Sequence, residues 1–100
     1  MLHSLTLVAA LLVPAGPCAC TPGEFCTWVG TRYTSSHLED PAPGSFARSM
    51  LNKTPDSLDI HGTVGRLPRT YCLNPGEGQS DTGAFTLDRV VVRDVPCEIL

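Results

Sequence analysis

A small, mostly β protein, built as a disulfide-stabilised barrel or sandwich, is what this 100-residue sequence predicts. Three observations carry that prediction. Short runs of β-branched and aromatic residues recur along the chain, and nine Pro and nine Gly separate them. Little of the chain keeps a helical apolar period. Five cysteines follow an apolar N-terminal segment, a pattern typical of exported domains whose small cores are stapled covalently.

Taken in order, residues 5–13 hold a single polar residue, Thr6. That apolar core fits the roughly 7 to 15 residues of a signal peptide and falls short of the roughly 20 of a membrane helix. Val13 and Ala15 place small residues where a signal peptidase reads, so cleavage is expected after Ala15. Residues 1–15 are then a signal peptide and residues 16–100 one small disulfide-linked domain. The expected destination is extracellular, with no membrane association after cleavage.

Residues 27–35 (TWVGTRYTS) are rich in β-formers and read as a strand, with Trp28, Val29 and Tyr33 as core candidates. Residues 37–45, with two prolines and a glycine, read as a loop. Residues 46–51 could form a brief helix capped by Ser45. Leu58, Ile60 and Gly62 alternate with Asp59, His61 and Thr63, as in a half-buried strand. A short strand is expected over residues 69–73 and a turn-rich loop over residues 74–83. Residues 84–95 make the strongest strand, with Phe85, Leu87, Val91 and Val95 on one face and Val90 and Val92 on the other.

Net charge is −3, and the seven basic residues, of which only Lys53 is a lysine, are scattered among ten carboxylates. No basic patch emerges, which speaks against nucleic-acid or anionic-membrane partners. Cys18, Cys20, Cys26, Cys72 and Cys97 form an odd set, so at most two bridges close within the chain. Four paired cysteines with five choices of the odd one give fifteen arrangements, which sequence leaves open.

Candidate chemistry is thin. Asp81-Thr82-Gly83 matches the aspartic-protease triplet, but Gly78-Gln79-Ser80 precede it where a hydrophobic strand is required, so a surface turn is expected. Ser57, Asp59 and His61 alternate on one strand without any nucleophile-elbow signature, as polar residues on a solvent face do. Cys18, Cys20, Cys26 and His37 could in principle make a zinc set, but the Cys-x-Cys start is tighter than usual and export favours disulfides. No catalytic residue, metal site or cofactor is expected. Asn52-Lys53-Thr54 is a glycosylation acceptor by pattern, with Pro55 directly after it.

The run Cys18-Ala19-Cys20-Thr21-Pro22, followed by Phe25-Cys26, resembles the opening of the tissue inhibitors of metalloproteinases and their netrin-like relatives. Cys72 and Cys97 stand in comparable order. The resemblance implies an OB-like barrel, bridges from Cys18 to Cys72 and from Cys20 to Cys97, and Cys26 as the unpaired thiol. It further implies an inhibitory edge at Cys18 and Ala19, where the α-amine and carbonyl of Cys18 chelate the zinc of a metalloproteinase. The expected function is therefore a secreted, non-enzymatic binding or inhibitory module. A structural or ligand-like secreted protein forming a covalent dimer through its leftover thiol is the alternative, and a truncated product without a stable fold is a third.

Overall fold

A computed structural model describes residues 20–98. They form two four-stranded antiparallel sheets packed as a sandwich and not closed into a barrel. The first sheet contains β1 (Phe25–Trp28), β2 (His37–Glu39), β4 (Ser49–Asn52) and β7 (Gly78–Gln79), in the order β2-β1-β4-β7. The second contains β3 (Phe46–Ala47), β5 (Leu58–Val64), β6 (Leu67–Leu73) and β8 (Phe85–Val92), in the order β3-β8-β5-β6. The mostly β expectation is met, and among the described residues the one helical element is a 3-10 turn at Thr31–Tyr33.

The core lies between the sheets. Phe25 and Met50 reach it from the first sheet, and Ala47, Leu58, Ile60, Leu73, Phe85 and Leu87 from the second. Each fully buried aliphatic or aromatic side chain contributes about 1.5 to 3 kcal/mol, so this cluster is the main favourable term holding the layers together. The first sheet is covered on its outer side as well. Cys20, Cys26, Trp28 and Leu51 form a second cluster there, with Tyr33 packed on it. Trp28 stands edge-on to Tyr33 at 5.3 Å and stacks on His37 at 5.7 Å. That double coverage explains why all four residues of β1 and of β4 are buried.

Three elements depart from the sequence expectation. The strand expected over residues 27–35 ends at Trp28, because Arg32, Tyr33 and Ser35 adopt positive φ and fold the chain back over the Trp28 indole. The helix expected over residues 46–51 is instead β3 and β4, one extended segment that passes from the second sheet to the first at Arg48. There the Arg48 N–H donates to Trp28 O and its carbonyl accepts from the Thr82 N–H. Tertiary pairing overrides the helix propensity of Ala47, Met50 and Leu51. Residues 37–39, expected in a loop, pair with β1 as the edge strand β2.

A fourth departure matters most for function. A register shift between His61 and Gly62 inserts Asp88 as an extra residue on β8. A strand has a side-chain period of two, so one inserted residue exchanges the faces of everything after it. Val90 and Val92 thus pair beside Ile60 and Leu58 on the inner face, while Val91 pairs beside Asp59 on the outer one. The sequence expectation had these reversed.

The disulfides also differ from those the netrin-like resemblance implies. Cys20 pairs with Cys26, and Cys72 with Cys97. Cys26, expected as the unpaired thiol, is bridged because Cys20 sits across the outer face of β1 with Cα atoms 6.0 Å apart, within reach of a disulfide. Cys97 meets Cys72 on the outer face of the second sheet, where Arg93 binds the Asp59 carboxylate with 3.0 and 3.1 Å contacts and the Cys97 N–H donates to Asn74 Oδ1. Residues 1–15, Cys18 and Ala19, and with them the signal peptide and the inhibitory edge, lie outside the described residues.

Candidate functional site

The residues singled out for chemistry do not assemble. Ser57 Oγ donates to Asn74 Oδ1 at 2.7 Å, Asp59 is engaged by Arg93, and His61 Nδ1 lies 3.1 Å from Thr70 Oγ1. Each member of that alternating trio has a separate partner. Asp81 caps its own turn by accepting from the Gly83 N–H at 2.9 Å, and Thr82 is buried, donating to Ala47 O. The protease-like triplet is thus the turn that launches β8. Two of the four residues considered for zinc, Cys20 and Cys26, are joined in a disulfide and hold no thiolate for a metal.

Asn52, the glycosylation candidate, occupies a structural position. The side chain is fully buried, with Nδ2 donating to Asp56 O at 2.8 Å and Leu73 O at 3.0 Å. Its Oδ1 accepts from Thr54 N–H at 2.9 Å and Thr54 Oγ1 at 2.7 Å. The Asn-x-Thr pattern is here a folding knot that closes the turn after β4. A glycan on Nδ2 would take the place of one of these two donors at a buried position. Glycosidase treatment of the protein made in cells that glycosylate exported chains is expected to leave its mobility unchanged. Asn52→Ala is expected to lower stability by about 3 kcal/mol, read from the denaturant midpoint, because it strands several buried partners.

Near the Cys20 end, the Glu39 carboxyl is held below its ordinary value, chiefly by a hydrogen bond from the Thr21 side chain and, less, by backbone hydrogen bonding and by His37. A depressed carboxyl adds stability at pH above its unfolded value and loses it as pH falls through the folded one. Removing the hydroxyl with Thr21→Val is therefore expected to shrink the difference between urea midpoints at pH 7 and pH 3. An unchanged difference would assign the acid sensitivity elsewhere.

Two concave regions remain. A depression of about 570 Å³ lies over the outer face of the second sheet, floored by His61, Thr63, Thr70, Thr86 and Arg89. Within it Arg89 pairs with Asp88 at 2.7 Å and His61 with Thr70, while Arg69 on its wall belongs to no ion pair among the described residues. A smaller groove of about 390 Å³ opens between the sheets, where Gly23, Glu24, Phe25 and Asp40 face Leu58, Val90 and Val92. It exists because of the bulge at Asp88, which turns Val90 and Val92 inward at a corner that no strand of the first sheet covers.

That corner is also a sheet edge. The short strand β3 pairs with β8 only at Phe85 and Thr86, and the adjoining loop reaches Leu87 through two hydrogen bonds, to its carbonyl from Gly44 and from its N–H to Ser45. Beyond Leu87 no described strand pairs with that side of β8. The Arg93 N–H donates to Ser57 O, so alternation directs the backbone groups of Val91 and Arg89 toward β5 and those of Val90 and Val92 toward the open edge. Val90, Val91 and Val92 stay 36, 41 and 59% exposed, an uncovered apolar edge that soluble proteins usually blunt. Sequence reasoning found this strand but not the edge, because the edge is created by the shortness of β3 and the face change at Asp88.

Searches against protein-family models, curated proteins and solved structures give no match to this chain.

Proposed function

We propose that this chain is a secreted, disulfide-stapled binding module that docks another protein at the open corner formed by residues 88–92 and the inter-sheet groove. The observation that supports this reading is the valine edge of β8, exposed beside the inter-sheet groove, whereas the other long edge strand of that sheet, β6, carries Pro68 and Arg69, residue types that blunt an edge. The two disulfides support an oxidising destination. No helix among the described residues is long and apolar enough to cross a membrane. The trio of Ser57, Asp59 and His61, split among separate partners, favours binding over catalysis. The pairings Cys20 to Cys26 and Cys72 to Cys97 remove the bridges on which a metalloproteinase-inhibiting edge would be mounted.

Saturable binding of labelled protein to cells of its own source tests the reading. Val92→Asp, at an exposed position, is expected to weaken binding by about tenfold or more, since a buried charge at an apolar contact is costly. Leu67→Asp, which removes an equally exposed apolar side chain at the β5–β6 hairpin, is expected to leave binding intact. Equal behaviour of the two variants would overturn the proposal.

A second reading has one observation in its favour. The two bridges consume all four described cysteines, leaving no described partner for Cys18, so a covalent dimer would form through that residue. A reducible dimer on electrophoresis, lost in Cys18→Ser, is the outcome expected of it.

A further inference from the structure

We propose that the open corner takes an extended, lysine- or arginine-bearing segment of a partner protein as an added antiparallel strand along residues 88–92 of β8. This rests on the corner being the docking surface. Three observations define the occupant. Alternate backbone groups, those of Val90 and Val92, point outward from the sheet with no described strand beside them, which is the arrangement strand addition completes. Every strand pairing in both sheets is antiparallel, so an antiparallel newcomer continues the existing ladder.

Charge supplies the third. The groove carries two carboxylates, Glu24 and Asp40, and no basic side chain lines it. Neither carboxylate belongs to an ion pair among the described residues. Between them and β8 the floor is apolar, made by Phe25 and Leu58. A residue of the incoming strand that sits opposite Val90 or Val92 shares their inward face. A long basic side chain there lays its methylene stem on the apolar floor and carries its charge to the acidic rim. A second copy of this chain would bring its own Glu24 and Asp40 toward the same rim, so like charges disfavour self-pairing.

The probe is the peptide acetyl-Ser-Lys-Val-Lys-Val-Lys-Ser-amide, titrated into isotopically labelled protein and followed by NMR. Expected are shifts at Gly23, Glu24 and Asp40 and amide exchange at Val90 and Val92 slowed by about tenfold. In the antiparallel pairing the groove-facing lysines also direct their N–H groups at β8. Methylating the lysine nitrogens is therefore expected to weaken binding by about tenfold or more, whereas methylating the valine nitrogens is expected to spare it. Glu24→Lys and Asp40→Asn are each expected to cost about fivefold, and the same peptide with glutamate for lysine is expected to bind Glu24→Lys more tightly than the parent protein.

Equal effects of the two methylation patterns, or indifference to charge reversal, overturn the proposal. So does self-association that protects Val90 and Val92 without peptide, which would make the occupant a second copy. If the peptide fails while Val92→Asp still abolishes cell binding, the basic-strand inference falls and the docking surface stands. If Val92→Asp has no effect on cell binding, the docking surface itself falls.

Discussion

Gly62→Ala is expected to abolish the native fold, although it adds one methyl group to a residue with an ordinary backbone conformation. A Cβ at Gly62 would lie 2.2 Å from Thr86 O and 2.4 Å from the Phe85 ring. Neither neighbour can yield. Thr86 O belongs to the β5–β8 ladder, and Phe85 is fully buried at the centre of the core. Relief therefore requires the two central strands of the second sheet to separate beside the bulge. The expected loss, more than about 5 kcal/mol, is comparable to the whole stability of a small domain. Gly44→Ala is the control, because its Cβ meets nothing within 4 Å and its positive φ of 92° costs only about 1 kcal/mol. Loss of dispersed amide signals in Gly62→Ala but not in Gly44→Ala is the expected pair of results. A folded Gly62→Ala of near-native stability would show that the two strands are more yielding than their packing indicates.

Removing the Cys72–Cys97 bridge with paired serines is expected to destabilise the domain by about 3.5 kcal/mol. The bridge spans 25 residues, and the chain-entropy relation gives roughly that figure for such a loop. The Cys20–Cys26 bridge spans six residues and is expected to contribute only about 2 kcal/mol. The difference should appear as unequal shifts of the denaturant midpoint. Loss of the larger bridge should also free the chain after Arg93, since the Cys97 N–H then has only its Asn74 contact to hold it. Equal effects of the two removals would show that strain or residual structure outweighs loop entropy here.

Much of the fold was legible where one face is buried and the other wet. The strand at Leu58–Val64 has the bounds its alternation indicates, and residues 84–95 contain the strand Phe85–Val92. The alternation failed after Leu87 because a bulge leaves no mark in composition: Asp88 looks like any outward-facing residue. Residues 46–51 were misread for a different reason. Ala47, Met50 and Leu51 favour a helix locally, and it is the pairing of β3 with β8 and of β4 with β1 and β7, with the backbone bonds of Arg48 to Trp28 and Thr82 between them, that holds the segment extended. The buried role of Asn52 was not legible either, since a glycosylation pattern and a buried turn knot have the same residues. The cysteines could be counted but not paired, because pairing depends on where strands lie and fifteen arrangements were open. The groove was invisible for the same reason, since Glu24, Asp40, Val90 and Val92 come from separate segments and meet only once the sheets are stacked.

The placement of the Cys72–Cys97 bridge has a mechanical consequence. Tension applied at the C-terminal end of the domain passes from Cys97 through sulfur to Cys72 and so directly into β6. Residues 73–96, which include all of β8, form a closed covalent loop that this load path bypasses. At the other end, Cys20–Cys26 delivers tension into β1 within one short loop. A pull on the two ends of the described domain would thus run through its frame and leave β8 unloaded along its own chain.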